Sequence, residues 1–374
     1  MHRVQLHYTL GREAPAAGVR HPLIELLQAV ADQGSISGAA RGLGLSYRHA
    51  WGELKRWESE LGNELIVWEK GQAARLTEFG AKLMWAERQA QARLAPQIEA
   101  LRADLERTFA IAFDPQAHVL TFHASHDDAL VLLREQAARL DGERLHLDIR
   151  FSGSVDAIGA LNEGRCIMAG FHTRTAPPAD SRAARTFRPL LQPGRHKLIG
   201  FARRIQGLIV APGNPLGLHA LADVARAGAR MASRPLGSGT RVLLDELLDE
   251  AGLAPGDLVP HGEPEPSHAA VAQAVAAGAA DAGLGTEAAA RARGLDFVPL
   301  ADEDYHLVCL KDALEQPPVQ ALRRLLATPA WAAQLAGLPG YRPSHAGEVL
   351  ALSRLLPWWT FSRQKRAKPS AVRS

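Results

Sequence analysis

Cysteine is nearly absent, with two in 374 residues, Cys166 and Cys309. Two thiols are too few for a disulfide framework or a thiolate metal site. Each sits in an apolar, strand-like run (RCIMAGF and YHLVCL), so both are read as reduced core residues. Long apolar runs are also lacking. No stretch approaches the roughly 18 residues that span a bilayer, and residues 1–12 are polar and charged where a signal peptide needs an apolar segment. A cytoplasmic protein is therefore expected. The 15 histidines invite a metal hypothesis, but no H-E-x-x-H or Cys/His ligand spacing occurs, and no metal or cofactor is expected. Signatures of catalysis are missing too. Gly237-Ser238-Gly239-Thr240 lacks the Gly-Lys-Ser/Thr ending of a P-loop, the third glycine of a dinucleotide fingerprint and the G-x-S-x-G frame of a hydrolase elbow. The sequence does not read as an enzyme.

What is present is a chain of 47% hydrophobic and 22% charged residues, long enough for two or three domains. The net charge of +3 hides a division. Residues 1–113 are balanced, 114–353 are acidic, and 354–374 hold six basic residues and no acidic one. That last stretch, WWTFSRQKRAKPSAVRS and its neighbours, predicts a basic disordered tail.

Leu23, Leu26, Leu27 and Val30 follow helical spacing, with Pro22 opening the run and Gly34 closing it. A second short helix, ISGAARGLG, follows with Ser35 or Ser37 as its cap. A third, SYRHAWGELKRWESELG, starts at Ser46 and should turn Ala50, Leu54, Trp57 and Leu61 inward. Leu65 to Trp68, a Lys-Gly-Gln turn and Arg75-Leu76-Thr77 then predict a β-hairpin wing. This order defines a winged helix-turn-helix over residues 1–77, whose partner is double-stranded DNA. The third helix would enter the major groove, bringing Ser46, Tyr47, Arg48 and His49 to the bases, with Lys55 and Arg56 nearer the phosphates and Lys70 and Arg75 reaching backbone from the wing. Residues 78–113 predict a linker and dimerisation helix. Its stripe Phe79, Leu83, Ala86, Ala90, Leu94, Ile98, Leu101 and Leu105 is too long for one small domain to bury, so a second copy is the expected partner. Pro96 should kink that helix or divide it in two. Pairing of dimers into a tetramer is left open.

Residues 114–345 change character, alternating strand-like runs, polar loops and helices, the pattern of an α/β fold with ligand loops at strand ends. Strands at 119–123, 145–151 and 167–171 lead into ASHDD, SGSVD and HTRT. The most specific motif is ARMASRPLGSGTRVLLDELLDEAG. Glycine on both sides of Ser238 lets backbone amides face a ligand at the positive end of the following helix, a suitable cradle for an oxyanion. Arg234 and Arg241 flank it, and one of them could equally form an ion pair. Later, SHAAVAQAVAAGAADAGLG places Ser267 and His268 at a helix start. Two lobes follow, joined by crossovers near 204–207 and 304–307. The candidate effector contacts are Ser125, His126, Ser152 and Ser154 from one lobe, and Arg234, Ser238, Gly239, Thr240, Arg241 and His268 from the other. Residues 346–374 are set apart as a C-terminal segment.

ISGAARGLGLSYRHAWGELKRWESELG with RLTEFG resembles the DNA-binding domain of ModE-type molybdate-responsive regulators, itself similar to the LysR-type domain. SRPLGSGTR and SHAAVAQAVAAGAADAGLG resemble the periplasmic-binding-protein-like domain fused to helix-turn-helix regulators and molybdopterin-biosynthesis proteins. That domain is also similar to molybdate- and tungstate-binding transport proteins, in which a comparable Ser-Arg…Ser-Gly-Thr loop touches the oxyanion. The resemblance implies a multidomain fold, an all-α winged helix-turn-helix with a long dimerisation helix followed by an α/β two-lobed domain. It also implies a transcriptional regulator sensing a small anion, molybdate, tungstate or a molybdenum-cofactor-related ligand, and acting on molybdoenzyme or molybdenum-metabolism genes. ModE-type proteins sense the oxyanion with small β-barrel domains, which this sequence replaces. The alternative is a cytoplasmic oxyanion- or metabolite-binding protein without a regulatory role.

Overall fold

The computed structural model describes residues 21–68, 72–114, 117–139 and 145–359. The N-terminal unit is built by caps and small residues. Helix α1 (Pro22–Gln33) ends at Gly34, which takes the left-handed conformation (φ 59°) that favours glycine. Ser35 caps α2 (Ile36–Gly42), accepting from the Gly38 amide, and Ser46 caps α3 (Tyr47–Leu61), accepting from the His49 amide. Ala39, Ala40, Ala50 and Leu54 are fully buried between the three helices. Trp57 and Leu61 are only partly buried. A buried carboxylate joins that face, because Glu58 accepts from the amides of Leu65 and Ile66 at 2.9 and 3.3 Å and so ties α3 to the wing. The wing pairs β1 (Ile66–Val67) antiparallel with β2 (Arg75–Leu76). It packs against the start of α4 (Glu78–Phe113), where a Cβ at Gly80 would run into the Leu65 carbonyl. Helix α4 continues as one helix through Pro96, so of the two expected outcomes, a kink or a division, the division does not occur.

The remaining chain forms one sheet of ten strands with helices on both faces. The first lobe holds β3 (His118–Ala124), α5 (Asp128–Arg139), β4 (Leu145–Phe151), α6 (Ser154–Asn162), β5 (Met168–Arg174) and α7 (Arg182–Phe187). Strand β6 (His196–Val210) leaves it as one 15-residue strand and continues into the second lobe. That lobe contains α8 (Leu221–Ala227), β7 (Arg230–Ala232), α9 (Gly239–Glu250), β8 (Val259–Pro260), α10 (His268–Ala276), β9 (Ala282–Thr286) and α11 (Glu287–Arg291). Strand β10 (Asp296–Leu310) returns antiparallel to β6 along both lobes. Thus both expected crossovers are long continuous strands, and the register of the pair shifts between Tyr305 and His306, inside the expected second crossover. The sheet order is β4-β3-β5-β10-β6-β9-β7-β8. Parallel pairs β3·β4, β3·β5, β7·β8 and β7·β9 bring strand ends from both lobes to the cleft.

Helices α12 (Pro317–Leu326) and α13 (Pro329–Ala336) cover the first lobe, where Trp331 stacks on Phe201. Strands β11 (Tyr341–Pro343) and β12 (Val349–Ala351) both pair with β6. A short α14 (Leu352–Leu355) follows, and Leu356 and Trp358 are buried in the first lobe. The segment set apart from residue 346 therefore begins inside the α/β domain, because its apolar side chains complete that core. The expected basic tail beyond it lies outside the described residues. Cys166 and Cys309 are free and buried, with burial pushing their thiols up to about 11 and about 12.

Candidate functional site

The cleft between the lobes is built from strand ends and helix starts. Strand β3 delivers Ser125, His126 and Asp127, strand β4 delivers Ser152, and β7 delivers Arg234 and the turn before α9. Gly237 (φ 81°) makes that turn and sets Ser238 as the α9 cap, its hydroxyl donating to the Pro235 carbonyl and accepting from the Arg241 amide. The lobes meet at this loop, where the Val155 amide donates to the Gly237 carbonyl at 3.3 Å. A Cβ at Gly239 would sit 3.1 Å from His172 Nδ1, closer than most side-chain contacts, so the lobes approach tightly here. Beside the turn lies a cavity of about 300 Å³ lined by Ser125, His126, Ser152, Arg234, Ser238 and, from the linker helix, Pro96, Gln97 and Ala100.

The two flanking arginines divide their roles. Arg241 pairs with Asp245 at 3.0 Å along its own helix. Arg234 is buried, and its Nε and Nη1 have no hydrogen-bond partner among the described residues. Burial, then the neighbouring Arg204 charge, lowers Arg234 to about 10, which still leaves it cationic at neutral pH. Ser152 Oγ is buried without a partner as well. Ser125 and Ser154 lie hydroxyl to hydroxyl at 3.5 Å, and Thr240 accepts from Gln206 Nε2 at 3.2 Å. Gly153 is the cap residue of α6, and Ser154 is the first residue of that helix. His126 packs on Phe151 and is held neutral, its pKa lowered to about 4 by burial first and Arg234 second. His268 opens α10 deep in the cleft, with Nε2 3.4 Å from Arg204 Nη1 and Nδ1 unpartnered.

Sequence reasoning missed a second group behind these residues. Arg204 on β6 is fully buried between Asp127 and Glu303, with Tyr341 Oη also donating to Asp127 at 3.0 Å. Its charge is thereby matched, unlike that of Arg234. His172, assigned to a loop in the sequence reading, lies within β5 because that strand runs to Arg174, and both its ring nitrogens are buried without partners. Tyr305 lies against it in a tilted ring contact with centroids 3.9 Å apart, its hydroxyl also unpartnered. The available signals were paired arginines inside the apolar run IGFARRIQGLIV and acids inside ADEDYHLVCL.

On the N-terminal unit, Tyr47, Arg48 and His49 are exposed at the start of α3, Tyr47 stacking on Trp51. Lys55 pairs with Glu58, and Arg56 with Glu53 and Glu60. Arg75 is exposed on β2, and Lys70 lies outside the described residues. No helix among the described residues is long and apolar enough to cross a membrane, and no cluster of metal-ligating side chains occurs among them.

A helix-turn-helix unit with a wing is thus joined through α4 to a two-lobed α/β domain. Residues 135–327 match the PBP superfamily domain, and the chain belongs to that superfamily. Residues 22–81 match the bacterial regulatory helix-turn-helix protein, lysR family. The chain is similar to the uncharacterized protein YvgK of Bacillus subtilis (strain 168), 34% identical over 201 residues, which cover 54% of this chain and 64% of that protein's length. A second relative is an uncharacterized protein encoded in the 5′ region of a ferredoxin 2Fe-2S gene of Clostridium pasteurianum. It is 33% identical over 110 residues, 29% of this chain and 97% of the relative. Among solved structures, the OxyR mutant of Corynebacterium glutamicum with hydrogen peroxide bound is 16% identical, with TM-score 0.42 over 84% of this chain and 95% of that one.

Proposed function

We propose that the protein is a ligand-responsive transcriptional regulator that binds DNA as a homodimer and senses a small anion in the interlobe cleft. Molybdate, tungstate or a molybdenum-cofactor-related ligand is the favoured effector, and molybdoenzyme or molybdenum-metabolism genes are the favoured targets. The observation that carries the anion reading is Arg234, a buried guanidinium with two unpartnered nitrogens, Nε and Nη1, at the cavity wall. Buried donors without partners are costly, and an oxyanion would satisfy them with charge-assisted bonds. Ser152 and the Gly-flanked α9 start supply further donors.

Isothermal calorimetry with molybdate, tungstate and sulfate tests this reading. One of the three should bind, and Arg234→Met should weaken it by about 10- to 100-fold, the worth of one or two charge-assisted bonds. No heat with any of them ends the oxyanion reading. For DNA, mobility shift with the chain's own promoter region should show specific binding that falls steeply with salt. Arg48→Ala should lower that affinity by about 1–3 kcal/mol while anion binding stays unchanged. Absence of specific retardation at every salt concentration would favour a binding protein without a regulatory role.

A further inference from the structure

Helix α4 does more than connect. Its buried positions Ala92, Pro96, Glu99 and Ala103 recur along one face, and that face lies across both lobes. Toward the second lobe, Arg93 holds the fully buried carboxylate of Glu265 with two bonds at 2.9 and 2.7 Å, and Gln89 Nε2 adds a third at 3.0 Å. Ser267 donates to the Ala92 carbonyl at 3.4 Å from the start of α10. Toward the first lobe, Glu99 pairs with the buried Arg134, Asp104 with Arg150 at 2.9 Å, and Arg107 with Asp148 at 3.4 Å. Between these two sets, Pro96, Gln97 and Ala100 line the same cavity as Arg234 and Ser238.

We propose that α4 is a third wall of the ligand cleft and a latch on both lobes, so that filling the cleft and seating the helix stabilise each other. The coupling half of the proposal rests on the anion reading above; the seating of α4 does not. The physical reason is reciprocity. A ligand enclosed by both lobes and α4 is held more tightly when the helix is seated, and the helix is then held more tightly by the ligand. Because α4 begins directly after the wing, effector occupancy would reach the DNA-binding unit through one rigid element rather than through a flexible joint.

Thiol labelling in the full-length chain separates the parts. Ala92→Cys and Ala103→Cys place a thiol on the seated face, while the two natural thiols are buried and burial pushes them up to about 11 and about 12. A maleimide should label either engineered thiol slowly, and adding Arg93→Ala should speed labelling of the Ala92→Cys variant about tenfold. Labelling of both at the rate of a free thiol in the otherwise natural chain would overturn the seating, whatever the ligand. Calorimetry with molybdate, tungstate and sulfate tests the wall. Ala100→Trp, which fills the cavity from the helix side, should weaken the anion that the natural chain binds by at least about tenfold. If that anion binds Ala100→Trp equally well, the wall is refuted while the anion reading stands. If the natural chain binds none of the three, the anion reading and the coupling fail together, and labelling alone decides the seating.

Discussion

Arg204 and Arg234 lie near each other in the cleft yet do opposite things. Arg204 is matched by Asp127 and Glu303, so its removal would strand two buried carboxylates. Breaking a buried pair from one side typically costs 3–5 kcal/mol, so Arg204→Met should lower unfolding stability by about that much in urea, whereas Arg234→Met should cost far less. The histidines add a pH term. Burial holds His126 and His306 neutral, each lowered to about 4 from an ordinary 6.5, and holds His172 and His268 well below 6.5 as well. The unfolded chain takes up these protons below about pH 6.5 and the folded chain does not until about pH 4. Their stabilisation is therefore complete above 6.5 and lost as pH falls through that window. Asp128, raised to about 6 by burial, acts in the opposite direction together with Glu87 and Glu246, while His123, His146 and His196, lowered by burial, add to the four histidines. The urea midpoint should fall between pH 6.5 and 4.5, with a shallower slope in His306→Gln, and a flat midpoint would contradict this account. Of these residues, the sequence reading found His126, Arg234 and His268 from their loops. It missed Arg204, His172 and Glu303 because each lies within a strand whose apolar neighbours hide a buried polar side chain.

At the scale of elements, helix boundaries were legible wherever a cap announced them. Gly34, Ser35 and Ser46 end or begin helices as their chemistry requires, and Ser238 and Ser267 do the same in the α/β domain. Ser46→Ala should therefore cost about 1 kcal/mol of the N-terminal unit's stability by thermal unfolding, because the His49 amide loses its acceptor. An unchanged midpoint would mean that solvent replaces the cap without loss. Strand length was less legible. β5 extends through His172-Thr173-Arg174 because β10 pairs with it along that length, and pairing of this kind leaves no local mark on a polar tripeptide. The same is true of β12, whose three residues are strand only because β6 lies beside them. Pro96 left two outcomes open, a kink or a division, and the division does not occur. It is buried at the cleft mouth, and the ion pairs of Arg93 and Glu99 on either side hold the helix to the two lobes.

At the scale of the whole molecule, the two faces of α4 have different work. The inner face is satisfied within one chain, but Leu94, Leu101, Phe109 and Phe113 are exposed, Phe113 at 82%. A stripe of that kind on a helix joining two domains is costly to leave in water, which is the argument for a second copy of the chain as its partner. A dimer formed there would place two α3 helices on one DNA, so that each unit contributes to a shared, near-palindromic site. Replacing Leu101 and Phe109 together by Lys leaves the seated face untouched and should convert the dimer to monomer in sedimentation equilibrium. Specific DNA affinity should fall with it, since a single unit loses the gain from linking two. Anion affinity should not fall, because neither Leu101 nor Phe109 lines the cavity. If the double variant stays dimeric, the interface is elsewhere. If it becomes monomeric and loses anion binding as well, then the two faces are coupled, and the dimer itself would be needed to keep α4 seated over the cleft.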